Sequence, residues 1–369
     1  MGSGDKPAGP AVVTDDDQPV PFSDRYEVVR HLATGGMAEV LLARPLPAIG
    51  QEPIVVKRIL PRLAAQPEFI EMFQNEARVA ALLQHPNIVR TYEFGTAENG
   101  YFIAMEYLDG VTTHELLQAS LRRGEHLAYG HAIAILREVC AALHYAHELC
   151  DGEGKPLQIV HRDVSPQNVV LTRHGVVKLL DFGIAKSLAN HIETGPTKLK
   201  GKLRYLSPEQ CRGKCDRRSD VFAAGLLLYE LTIGRRAYRA ETADEVYARV
   251  AMARFDRPRM VRETYPQELE DIVCRALACA PEDRYQTAAA MQTALTHVAE
   301  LLGLTSSVAE RAAMVSEVQT EARVIAQVSA MPPPVLELAV AGTVEVDYNA
   351  ETTDVDTPAV PAAPPRRER

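Results

Sequence analysis

Asp163, Asn168 and Asp181 lie within one stretch, VHRDVSPQNVVLTRHGVVKLLDFG (160–183), with types and spacing suited to metal-assisted phosphoryl transfer. One carboxylate takes or orients a hydroxyl proton. A carboxamide and a second carboxylate are the oxygen ligands that a small hard cation and its phosphates require. The apolar runs 169–171 and 176–180 read as short strands that fix the turns carrying these side chains. Taken singly, Asp163 reads as a turn residue and Asp181 as a cap. The Asn five residues after the first Asp, with the second Asp before Phe-Gly, turns the reading toward chemistry.

The rest of the chain must bring further charge to those turns. Strands are expected over 26–32 and 38–43, joined by Ala33-Thr34-Gly35-Gly36-Met37. Such glycines let backbone amides approach phosphate oxygens. A plain hairpin turn reads from the same letters, so both stand. After a loop with three prolines (45–53), Ile54-Val55-Val56-Lys57 reads as a strand. A helix opens at Pro67, a residue suited to the first turn, and puts Phe69, Met72, Phe73, Val79, Ala80 and Leu83 on one stripe. Glu76 falls on that stripe, where an unpaired carboxylate is costly, and Lys57 is its natural partner.

His85-Pro86-Asn87 ends this helix; strands over 88–94 and 101–105 follow, then the polar, glycine-ended segment 106–110. From Thr113 the chain reads as helical. The run 131–150 is a core helix on which His144 and His147 read as packing or surface residues, and Ser219-Asp220 is expected to cap the apolar helix 221–233.

Taken in order, these residues resemble a bacterial, eukaryotic-like (Hanks-type) serine/threonine protein kinase, with HRDVSPQN a catalytic loop of the myxobacterial kind. The matching motifs run from Leu32 to Arg284, about two-thirds of the chain. The resemblance implies an α+β, bilobal protein kinase fold: a small antiparallel β-sheet N-lobe with one helix, and a larger, mainly helical C-lobe. It implies ATP with Mg²⁺, or Mn²⁺ in its place, and protein substrates. Asp163 would serve the substrate hydroxyl; Lys57, paired with Glu76, would contact the α and β phosphates; Asn168 and Asp181 would hold metal.

The nucleotide would meet Leu32, Gly35, Gly36, Met37, Val40, Val55 and Val170. Met105 would be the gatekeeper, with the Glu106 carbonyl and Leu108 amide bonding the adenine edge. Arg162 would bind a phosphorylated activation-loop residue. Thr194 and Thr197 are the candidates, Thr197 nearer the expected offset and flanked by Lys198 and Lys200. Asp220 would anchor the catalytic loop, and Arg284 would pair with Glu209. The insertion 151–156 resembles that of bacterial members.

There are departures. In the glycine loop Gly35 and Val40 are present, but Ala33 and Ala38 stand at the first and third glycine positions, implying a slightly stiffer flap. Ser165 stands where a lysine is usual, and Lys202 where a threonine is usual. In one reading the two have exchanged roles, Lys202 supplying charge at the γ-phosphate and Ser165 the hydroxyl. In the other Lys202 faces solvent and turnover is slower. A nucleotide-binding pseudokinase scaffold is the competing function, and the intact Lys57, Glu76, Asp163, Asn168 and Asp181 weigh against it. Tyrosine kinases also lack the catalytic-loop lysine, yet VSPQ is nearer the serine/threonine form VKPE.

Composition bounds the rest. Of the net charge of −9, segments 1–24 and 331–369 carry −4 each, leaving −1 between them. A nearly neutral body argues against nucleic acid as partner. Six scattered cysteines do not form a disulfide framework, which suits a reducing cytoplasm. Cys211 and Cys215 lack a second pair or a nearby His and read as ordinary thiols. The longest apolar run is too short to span a membrane, there is no signal-peptide core, and Lys6 stands where a myristoylation signal needs Ser or Thr.

The expected organisation is a disordered leader (1–21), a kinase domain (22–302, N-lobe to 107 and C-lobe from 108), a helical extension (303–330) and an acidic, proline-rich disordered tail (331–369). In the extension Val308, Val315, Val318, Ala322, Ile325 and Val328 recur at helical intervals, for docking on the lower lobe or for a partner. Segments 335–340 and 343–346 of the tail would suit strand pairing with another protein. Many bacterial members continue into a membrane span and sensor domain; neither is found in this sequence, so the input signal is expected from elsewhere. Oligomeric state is left open.

Overall fold

The computed structural model describes residues 20–23, 25–46, 52–97, 100–182 and 203–330. The expectations placed on the leader before Val20, on Thr194, Thr197, Lys198, Lys200 and Lys202, and on the tail from Met331 lie outside the described residues.

The first part of the chain forms an antiparallel sheet of β1 (Val20–Ser23), β2 (Tyr26–Thr34), β3 (Ala38–Pro45), β4 (Ile54–Ile59), β5 (Thr91–Ala97) and β6 (Gly100–Glu106), in the order β1-β2-β3-β4-β6-β5. Directly opposed residues share a face. Val40 lies opposite Lys57, and Val55 opposite both Leu42 and Met105. Ala38, Ile59 and Ile103 belong to the same face, and α1 (Pro67–Leu82) packs Phe69, Met72, Phe73 and Ala77 against them. The other face buries Leu41, Ala43, Ile54, Val56, Phe102 and Ala104 with Tyr26. A one-residue slip of β4 would therefore carry Lys57 away from α1.

The strand expected over 88–94 begins only at Thr91. Ile88 and Val89 are buried, and Ile88 bridges to Leu179 while Val89 N–H donates to Leu179 O at 3.0 Å. The core of the second lobe takes Ile88, and Leu179 holds the Val89 backbone, before the first sheet can.

That second lobe holds a small antiparallel sheet, β7 (Gly110–Thr112), β8 (Val169–Thr172) and β9 (Val177–Leu179), and the helices α2 (Thr113–Arg122), α3 (Tyr129–His147), α4 (Arg217–Ile233), α5 (Ala243–Ala251), α6 (Pro258–Val261), α7 (Gln267–Ala276) and α8 (Ala288–Leu301). The bilobal expectation holds. α4 is buried from Ser219 to Ile233 and forms the axis of this core. Its cap is Asp216, not Ser219-Asp220: the Asp216 carboxylate accepts Arg218 N–H at 2.8 Å, and Ser219 closes the capping box. Asp220 is thereby released for another task. α3 starts and ends a few residues before the expected 131–150.

α9 (Val308–Ala330) differs from its expected stripe. Val315 and Val318 are buried, but Val308, Ala322 and Ile325 are exposed, and Arg311 occupies the buried face. Side chains from 326 on, Val328 included, lie outside those described. The chain divides into two compact units, Met1–Ile325 and Ala326–Arg369; of the second, the described part is the end of α9.

Candidate active site

The charged centre is built where the α1 face of the first sheet meets β9. Lys57 Nζ donates to Glu76 Oε1 at 2.5 Å and lies 3.1 Å from Asp181 Oδ1. Burial by itself would lower the ammonium pKa, but the Asp181 and Glu76 carboxylates outweigh it and hold Lys57 above its ordinary range. The lysine therefore stays charged at neutral pH, available to phosphate oxygens.

Asp163 and Asn168 meet at the catalytic turn. Asn168 Nδ2 donates to Asp163 Oδ2 at 2.6 Å and to Asp163 O at 2.8 Å. This orients the amide with Oδ1 directed away from Asp163. Leu180 N–H donates to Asn168 O at 2.8 Å, so the turn is tied to the residue before Asp181. Thr113 Oγ1 and His114 N–H both donate to Pro166 O, holding the loop to α2. Ser165 is buried in the same loop, while Lys202 lies outside the described residues.

Arg162 and Asp181 both have positive φ, 67° and 38°. For residues with a Cβ this conformation costs on the order of 1–2 kcal/mol each. Asp220 offsets it at Arg162. Its two carboxylate oxygens accept the N–H of His161 (2.7 Å) and of Arg162 (2.8 Å), and the first also accepts His147 Nε2 at 2.8 Å. His161 carries the constraint onward: Nδ1 accepts Asp163 N–H at 3.2 Å, which leaves Nε2 to donate to Leu180 O at 2.7 Å. Its ring packs on Phe182 at 4.6 Å between centroids.

Around the Lys57 face of the first sheet the expected residues have different fates. Val40, Val55 and Met105 share the Lys57 face, Val55 and Val170 are buried, and Leu32 and Met37 are half-buried. Gly35 N–H donates to Ala38 O at 2.8 Å, a plain hairpin bond, and a Cβ on Gly36 would meet nothing. Glu106 is engaged through its side chain, which accepts Lys178 Nζ at 2.6 Å and Arg90 N–H at 2.7 Å. Leu108 follows the end of β6 and is half-buried.

A divalent metal fits this donor set. Asn168 Oδ1 and the half-exposed Asp181 carboxylate are hard oxygen donors on adjoining turns, and among the described residues no group of three or more His, Cys, Asp or Glu forms a competing cage. Two protein ligands suit an ion that also binds nucleotide phosphates.

Further out, Arg284 Nη1 and Nη2 donate to Glu209 Oε1 (2.7 Å) and Oε2 (2.8 Å), and Ser219 Oγ adds a bond to Oε1 at 2.7 Å. Burial alone would raise the Glu209 carboxyl; the Arg284 and Ser219 bonds hold it below its ordinary range.

The protein kinase domain family model matches residues 26–296. The chain belongs to this family. Curated relatives of this kinase include the tyrosine-protein kinase MasK of Myxococcus xanthus, 45% identical over 272 residues, covering 73% of this chain and 42% of MasK. The serine/threonine-protein kinase PknB of Mycolicibacterium smegmatis is 39% identical over 290 residues, covering 76% of this chain and 44% of PknB. PrkC of Bacillus subtilis, also a serine/threonine-protein kinase, is 35% identical over 272 residues, with 73% and 40% covered. The kinase thus spans less than half the length of these relatives. Among solved structures, the PknI kinase domain of Mycobacterium tuberculosis superposes with a TM-score of 0.56 at 30% identity, covering 76% of this chain and 97% of that one.

Membership implies use of ATP and a divalent metal. Sequence reasoning placed Asp163, Asn168, Asp181, Lys57, Glu76, Asp220, Glu209 and Arg284 in the site's framework. It missed His161 and His147 as tethers. The signal was present, since His161 adjoins Arg162-Asp163 and His147 sits on the apolar stripe of α3.

Proposed function

We propose that this kinase is an active serine/threonine protein kinase that uses MgATP. The observation that carries the reading is Lys57 held between Glu76 and Asp181 while Asn168 is locked onto Asp163. In this reading Asp163 accepts or orients the substrate hydroxyl proton, and Lys57 neutralises the phosphates. Asn168 and Asp181 hold magnesium, which supplies charge neutralisation at the transferred phosphoryl group. The nucleotide lies on Val40, Val55 and Val170, beside Met105, Glu106 and Leu108. The six described cysteines are free thiols, which supports a cytoplasmic setting. No helix among the described residues is long and apolar enough to cross a membrane.

The Arg162 Nε is buried without a hydrogen-bond partner among the described residues, which supports an anionic ligand such as a phosphorylated Thr197 or Thr194. Lys202 in the role of the missing loop lysine, with Ser165 as its hydroxyl partner, belongs to the same proposal. The paired exchange Ser165→Lys/Lys202→Thr should retain activity that each single change abolishes. An unaltered rate in Lys202→Ala would refute the exchange.

One observation favours a second reading: MasK, a relative at 45% identity, is a tyrosine-protein kinase. Intact-mass spectrometry of phosphatase-treated protein before and after MgATP, with Asp163→Asn beside it, tests the activity. Peptide mapping and phosphoamino-acid analysis then decide the hydroxyl. Phosphothreonine or phosphoserine in the wild type alone is expected; phosphotyrosine alone selects the second reading, and nucleotide binding without transfer would move the protein to a scaffold.

A further inference from the structure

The family match ends at 296, yet α9 beyond it is built into the catalytic lobe. Val315 and Val318 are fully buried there, and Ser306 Oγ lies 2.8 Å from His131 Nδ1. The lobe is shaped for this segment. A Cβ on Gly175, at φ 74°, would come within 2.1 Å of Val308 O, and one on Gly130 within 2.3 Å of Thr305 O. At the far end Gln319 Nε2 donates to Asp109 Oδ1 at 3.0 Å, and Glu321 pairs with Arg123 at 2.6 Å.

The buried face of α9 holds one charge, Arg311, 4% exposed. A buried guanidinium is costly unless every donor finds an acceptor, and here each nitrogen does. Nε donates to Gly175 O at 2.8 Å, Nη1 to Ser306 O at 3.1 Å and Nη2 to Glu138 Oε1 at 2.7 Å. The other oxygen of Glu138 accepts Val177 N–H at 3.0 Å and Asn87 Nδ2 at 2.9 Å. Asn87 in turn donates to Val177 O and accepts Leu179 N–H at 2.8 Å. Leu179 lies two residues before Asp181, and Asn87 lies in the turn that leaves α1, the helix of Glu76. One guanidinium is thus joined, through Glu138 and Asn87, to the elements carrying both carboxylates that flank Lys57.

We propose that Arg311 is a positioning residue for phosphoryl transfer, holding β9 and the Asn87 turn so that Asp181 and Glu76 meet Lys57. The proposal rests on the kinase reading above and makes the C-terminal helix part of the catalytic unit. A helix that only shields apolar surface would have no use for this charge at the β8–β9 turn. Undocking of α9 would loosen the site without touching nucleotide or substrate.

The test uses the full chain, with casein as acceptor and wild-type activity measured first. Arg311→Ala should lower kcat about 10- to 100-fold, as loss of a group that orients a metal ligand does, and raise the Mg²⁺ concentration for half-maximal rate several-fold. The KM for casein should not change. Arg311→Lys should recover part of kcat, and adding Glu138→Gln to Arg311→Ala should cost little more, because the two act as one unit. Glu321→Ala, which loosens α9 at its far end only, should behave as wild type. Amide exchange at Val177 and Leu179 should quicken in Arg311→Ala. Should that variant not fold, Arg311→Lys and Glu138→Gln carry the same readouts. A folded variant with wild-type kcat and Mg²⁺ dependence overturns the proposal, whatever its exchange. An inactive wild type overturns the kinase reading instead, and the tether is then judged by exchange alone, unchanged rates overturning it.

Discussion

Asp220 accepts the backbone N–H of His161 at 2.7 Å, although 59 residues separate them, and with its second oxygen it accepts that of Arg162. A carboxylate in the first turn of the most buried helix thus sets the backbone from which Asp163 projects. Because Asp216 supplies the cap, Asp220 owes nothing to its own helix end.

Asp220→Asn should therefore act on the loop. An amide can accept on one side only, so at least one of the three donors now facing Asp220 is left without a partner. The expected cost is about 1–3 kcal/mol of stability, read by urea unfolding, with kcat falling more than the KM for ATP rises. Unaltered kcat in a folded Asp220→Asn protein would remove the loop-anchoring role.

Lys57 carries charge at the centre, and its removal also leaves Glu76 and Asp181 facing one another. Lys57→Met should reduce kcat about 10²–10³-fold, the range for loss of one preorganised electrostatic group. Glu76→Gln keeps a hydrogen-bond acceptor beside Lys57 and should be milder. Equal losses in the two variants, measured as kcat with saturating MgATP, would mean that the pair rather than the lysine charge matters.

Glu209 predicts a pH dependence. Its folded pKa lies below the ordinary 4.5, so its ionised form contributes stability that is present above that value and is lost as pH falls through the folded value. Stability should decline on acidification from about pH 4.5. Glu209→Gln should flatten that decline and cost roughly 3 kcal/mol at neutral pH, because Arg284 stays buried with a neutral partner. Denaturant titrations of both proteins across this range provide the comparison.

The thiols divide by burial. Cys211 and Cys215 are pushed up to about 11, and Cys140 to about 12, burial being the largest cause in each. Few thiolates form there near pH 8, whereas Cys150 and Cys279 are exposed. Alkylation followed by peptide mass spectrometry should label Cys150 and Cys279 first. Rapid labelling of Cys211 or Cys215 would contradict the ordinary-thiol reading.

Much of the site was legible because catalysis demands particular side chains at short, regular offsets. The period of α1 put Glu76 on the apolar stripe, and the strand ending in Lys57 offered its partner. Element ends were less legible. Ile88 and Val89 have the composition of strand β5 but are drawn to Leu179, and Ser219-Asp220 have the composition of a cap that Asp216 provides. Local propensity sees neither competitor.

By itself the sequence singled out the candidate residues of the phosphoryl-transfer centre, the alternation that builds the sheet face of Lys57, and the helical character of α9. Only the tertiary structure decided that His147 joins the His161 backbone at Asp220, that His161 bridges Asp163 to Leu180, and that Arg311 enters the lobe through Glu138. The first set rests on offsets of a few residues, which helix and strand geometry convert directly into position. The second depends on links between groups 19 to 173 residues apart in the chain, where a polar side chain finds its acceptor only after packing has brought the elements together.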